Sequence, residues 1–79
     1  MKSDTKKMIV EILEQEIRIP INTIDPSVPI REQISIDSMQ FISIIARLEV
    51  ALEKTIPTTI MGVSTLNDFF SEMEKCLNN

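Results

Sequence analysis

The chain has 79 residues, 43% of them hydrophobic, with 12 acids against 8 bases, a net charge of −4 and no histidine. A chain this short makes one domain at most, with a small core and no room for a long interior cleft carrying its own catalytic apparatus. The acidic balance argues against nucleic-acid binding, which needs Lys and Arg to displace phosphate counterions. Without histidine, and with Cys76 as the one cysteine, Ser-His and Cys-His nucleophiles, the usual zinc sites and a disulfide framework all drop out.

Met1-Lys2-Ser3-Asp4 leads directly into an amphipathic pattern with no secretory apolar run. No apolar stretch reaches membrane-spanning length, so a cytoplasmic protein without membrane insertion is expected. Lys2, Lys6 and Lys7, diluted by Asp4, read as a solvated helix start rather than a phosphate-binding patch. Met8, Ile9, Ile12, Leu13 and Ile17 then recur at helical spacing, with Lys7, Glu11, Glu14 and Arg18 mostly opposite. Ser3 or Thr5 can cap this helix, and Pro20 forbids its continuation beyond about Arg18 or Ile19. Glu11, Glu14 and Glu16 are read as a solvated face, since catalytic carboxylate pairs need environments that separate their pKa values.

From Ile19 to Ile36 the alternation of Ile17, Ile19 and Ile21 resembles a strand, but Pro20, Pro26 and Pro29 remove ladder donors and no partner strand exists. A long ordered loop is expected instead, pinned by Ile21, Ile24, Val28, Ile30 and Ile34. The second long helix begins at Asp37 or Ser38, with Asp37 as N-cap. Ile44, Ile45, Leu48 and Leu52 mark its core face, with Ala51 close by. Phe41, Ile42, Ala46 and Val50 fall outside that stripe, which makes the helix either central or an apolar surface for partners.

Lys54 and Pro57 bound the end of this helix. Thr58 to Gly62 can form one short helical turn with Gly62 just past its end. A last helix starts at Ser64 or Thr65, where Thr65 and Asp68 have capping-box spacing. Leu66, Phe69, Phe70, Met73 and Leu77 form its apolar stripe, and Cys76 lies at the edge of that face. The expected fold is all-α: a small four-helix bundle of three longer helices and one short one, with a long first loop, in a single domain over 1–79.

Ser38 is the hydroxyl that attracts attention, because it stands in the first turn of a helix behind a capping aspartate. A phosphodiester there meets unsatisfied amides and the positive end of the helix dipole. An Asp-Ser helix start is also common without any such role. The pattern around it is more specific. Gln33-Ile34-Ser35-Ile36-Asp37-Ser38-Met39, then Ile42, Ile44, Ile45, Leu48-Glu49 and Leu52, then Ile56-Pro57 and Ser64-Thr65-Leu66-Asn67-Asp68-Phe69, resembles the signature of acyl carrier proteins over essentially the whole chain.

That resemblance implies that a phosphopantetheinyl transferase moves the 4′-phosphopantetheine of coenzyme A onto Ser38, with Asp37 helping to organise the transferase site and its metal. The arm's thiol would hold acyl groups as thioesters for acyl-transfer or synthase enzymes of fatty-acid, polyketide or related pathways, the chain itself catalysing nothing and holding no metal of its own. Partners would read the second long helix through Met39, Gln40, Phe41, Ile42, Ala46, Arg47, Glu49 and Val50, and a monomer is expected. Three departures stand out. Ser35 replaces the family's glycine, Met39 replaces the usual leucine, and residues 37–54 carry three acids against two bases where fatty-acid carriers display many acids. The weak charge points to a specialised carrier rather than a housekeeping one, with apolar docking in place of charge steering unless Phe41 folds back onto the loop. The rival reading is an unmodified helical interaction module anchored by Phe41 and Arg47. A helix-turn-helix DNA binder ranks below both, for want of a basic recognition helix.

Overall fold

A computed structural model describes residues 2–78, so Met1 and Asn79, the ends of the expected domain, lie outside the described residues. Helix α1 spans Ser3–Ile17, α2 Ile30–Gln33, α3 Ser38–Leu52 and α4 Leu66–Leu77, with single 3-10 turns at Ile21–Thr23 and Thr58–Gly62. No strand occurs among the described residues, in keeping with the prolines that interrupt the alternating isoleucines. The one short α-helix therefore lies inside the long connection, where sequence predicts only loop. The turn expected at 58–62 is 3-10 rather than α.

The two long helices α1 and α3 pack side by side, burying Ile9, Ile12 and Leu13 against Ile44 and Leu48. Ile56, Ile60, Phe69 and Met73 complete this core. Phe69 sits edge-on to both Phe41 and Phe70, with ring centroids 6.2 and 5.6 Å apart, an arrangement aromatic quadrupoles favour. Two members of the expected stripes turn outward. Met8 is 40% exposed and Ala51 is exposed, each lying at the edge of its stripe.

Helix starts follow capping chemistry only in part. Asp37 and Thr65 each accept the amide hydrogen of the residue three further on, at 2.7 and 3.1 Å, as their side chains predict. Helix α1 instead follows Lys2 with no side-chain cap, and Ser3, a candidate cap, is its first helical residue. The ends of α1 and α3 are closed by Arg18 at φ 62° and Glu53 at φ 54°, both left-handed without glycine. Gly62 has no positive φ and is the last residue of its turn, so the expected glycine stop does not form.

Carboxylates and amides from the helices hold the connections. Glu14 Oε2 accepts the Ile21 amide hydrogen at 2.7 Å and Glu49 Oε2 accepts that of Ile56 at 2.8 Å. Glu14 is thus a structural acceptor rather than part of a purely solvated face. Gln33 accepts from the Asp25 amide and donates to the Asp25 and Val28 carbonyls. The Ile30 amide donates to Ser64 and the Asn67 amide to Pro26, tying the connection to the start of α4. At the tip of the loop, the Ser27 hydroxyl and amide donate to Asp25 and hold its carboxyl below the usual value. This contribution to stability is complete above the ordinary carboxylate range and is lost as pH falls through the lowered pKa.

The two left-handed ends generate a test. A left-handed L-residue costs about 1–2 kcal/mol, and glycine returns part of any gain as unfolded-state entropy. Glu53→Gly is therefore expected to stabilise the chain by about 0.5–1 kcal/mol in urea denaturation, and Glu53→Val to destabilise it.

Candidate functional site

Ser38 is the first residue of α3, and it is exposed. The turn that presents it forms because Asp37, extended at φ −103°, ψ 173°, spends one carboxylate oxygen on the Gln40 amide while its carbonyl accepts from Phe41 at 3.1 Å. The amides of Ser38 and Met39 stay at the open, positive end of the dipole, where an anionic ester oxygen is favoured. Ser35 approaches this turn without strain, since the positive-φ residues other than glycine are Arg18 and Glu53. The glycine that the resemblance associates with this place is therefore not required by the backbone here.

Behind the turn lies an apolar chamber of about 50 Å³, walled by the loop isoleucines 21, 24, 30 and 34 together with Ile36, Phe41, Ile44, Leu66, Phe69 and neighbours. Its only charged wall residue is Arg31. One water needs about 10–15 Å³ in such terms, so the chamber has room for a few carbon atoms as it stands, and its apolar walls offer water few polar partners. Ile36 and Phe41, two residues before Ser38 and three after it, both line the chamber. Four of the five residues expected to pin the loop thus form the chamber wall, Val28 being the exception. Sequence reasoning missed the chamber itself. Its signal was the excess of loop isoleucines over what anchoring alone needs.

The structure divides the eight residues expected to meet partners. Met39 (74% exposed), Ile42 (51%) and Val50 (81%), with exposed Ala46, recur at helical spacing and form one apolar strip on the outer face of α3. The other four are engaged within the fold. Phe41 turns inward onto Phe69 and the chamber and is half-buried, packed against the core rather than part of the outer strip. Gln40 donates to the Glu16 carbonyl at 3.0 Å, satisfying one of the last acceptors of α1. Arg47 pairs with Glu16 at 3.0 Å and also donates to Gln15. Glu49 holds the Ile56 amide. The charges of α3 are thus largely spent on neighbouring elements, and its outer face is more apolar than its composition suggests.

Among the described residues no cluster of His, Cys, Asp or Glu is placed to hold a metal ion, and no helix is long and apolar enough to cross a membrane. The arrangement offers an exposed serine at a helix N-terminus, an apolar chamber walled in part by the same helix, and an apolar strip along its outer face. The carboxylate beside the serine, Asp37, caps the helix through one oxygen.

Comparison with protein families matches residues 7–71 to the phosphopantetheine attachment site family. No curated protein and no solved structure matches the chain. The geometry fits the group that such a family carries: Ser38 can take an ester without unfolding the turn, and the dipole end favours its phosphate.

The cap can be tested directly. Asp37→Ala is expected to cost about 1 kcal/mol in urea denaturation and Asp37→Asn a few tenths. Faster amide exchange at Gln40 in the alanine variant alone would trace the loss to the cap.

Proposed function

Because the chain belongs to the acyl carrier protein family, whose domain is the site of covalent 4′-phosphopantetheine attachment, we propose that Ser38 is the residue that bears the arm. The observation that carries this reading is the exposed Ser38 in the first turn of α3, on the same helix as Phe41 and Ile44 of the chamber wall. When bound, the arm supplies a thiol that holds an acyl group as a thioester. The chain's own residues do the rest. The α3 amides hold the phosphodiester at the dipole end, Asp37 keeps the turn formed and marks it for the transferase, and the chamber gives an apolar tail a refuge from water. The protein itself catalyses no step. It acts as a cytoplasmic monomer that presents its cargo to acyl-transfer or synthase enzymes.

The strip Met39–Ile42–Ala46–Val50 supports docking through apolar contact, with little charge to steer the encounter. Such a carrier suits dedicated partners of a fatty-acid, polyketide or related route more than generic fatty-acid enzymes, which read acidic helices with basic patches.

Intact mass after incubation with coenzyme A and a broad-specificity phosphopantetheinyl transferase tests the attachment. The wild type is expected to gain one phosphopantetheine and Ser38→Ala none. An unchanged wild-type mass would leave the unmodified interaction module in its place. The specialised role has a separate test: a fatty-acid elongation enzyme should turn over the loaded chain more slowly than an acidic carrier, and equal rates would refute it.

A further inference from the structure

The chamber is apolar at every wall but one. Arg31, on α2, is exposed and is the one charged residue among those that line the chamber. An outer recess of about 260 Å³ shares Arg31, Met61 and Val63 with the chamber, and Met61 is itself 37% exposed. The gap between α2 and the 3-10 turn at Thr58–Gly62 is therefore where the chamber meets solvent, with Arg31 on its rim. No ion pair and no side-chain hydrogen bond of Arg31 occurs among the described residues, so no protein group competes for its donors.

We propose that Arg31 is a specificity-determining residue that favours acyl thioesters bearing an oxygen on the β-carbon over saturated ones, an inference that rests on Ser38 carrying the arm. A tail that leaves the arm gains by entering the chamber. Oxygen atoms do not follow it, because the inner wall has no polar side chain to receive them and an unpaired carbonyl in an apolar site is costly. They stop at the rim, where Arg31 is the charged donor of the outer recess. A β-oxo or β-hydroxy thioester places its carbonyl oxygen and β-oxygen side by side. The planar guanidinium presents paired N–H donors matched to two such acceptors. A saturated acyl thioester offers one oxygen and gains correspondingly less. The small chamber adds a second restriction, since a short tail fills it without displacing the loop isoleucines.

The test uses the full chain loaded on Ser38 with either β-oxohexanoyl or hexanoyl pantetheine, in wild type, Arg31→Gln and Arg31→Lys. Loading is verified by intact mass, and the ratio of inserted to free tail is read from the methyl resonances of Ile36 and Ile44. In wild type the β-oxo cargo is expected to be inserted more than the saturated one. Arg31→Gln should lower the β-oxo ratio about three- to tenfold and leave the hexanoyl ratio within about twofold, with Arg31→Lys between. An equal change for both cargoes, no change for either, or methyl resonances that respond to neither cargo overturns the inference while leaving the attachment intact. A wild-type chain that takes up no arm removes the attachment reading and this one together.

Discussion

The packing of the loop isoleucines against the inner side of α3 and the start of α4 is the interaction on which the rest of this structure depends. The segment between α1 and α3 has one four-residue helix and one 3-10 turn, too few backbone hydrogen bonds to order itself. Its isoleucines supply the missing free energy by leaving water, and Gln33, Glu14, the Ser64 carbonyl and the Asn67 amide bind polar backbone groups of the loop. That packing sets where the chain enters α3, and so where Ser38 stands. It also leaves the chamber, because β-branched side chains converging from a loop and two helices do not fill the space between them as interdigitated helices do.

Attachment turn and chamber are consequently one construction. The backbone that delivers Asp37 to its capping position also delivers Ile36 and Phe41 to the wall. A change in the loop would alter both the presentation of the hydroxyl and the volume behind it. Among the residues that line the chamber, Met61 and Arg31 are the exposed ones.

Electrostatics plays an inward role in this protein. Arg47 is held by Glu16, Gln40 by the Glu16 carbonyl, and Glu49 by the Ile56 amide. These contacts link α3 to α1 and to the chain that follows it, and so occupy its charged and amide groups within the fold. With its charges used in this way, α3 turns outward a strip of Met39, Ile42, Ala46 and Val50. Exposed apolar groups repeated along one helix face are suited to a partner with a matching apolar groove.

The sequence by itself determined the helices with strong periodicity, the Asp37 and Thr65 caps and the position of Ser38 in the first turn of α3, because periodicity and capping are local properties of neighbouring residues. It also carried the family, through spacing distributed over the whole chain. Only the tertiary structure decided that Phe41 turns inward, that Arg47 and Glu49 serve neighbouring elements, and that the loop isoleucines surround a chamber with Arg31 at its rim. Each of these depends on which segments meet across long separations in the chain. An isoleucine that fills space and one that encloses it have the same side chain and differ only in what lies opposite.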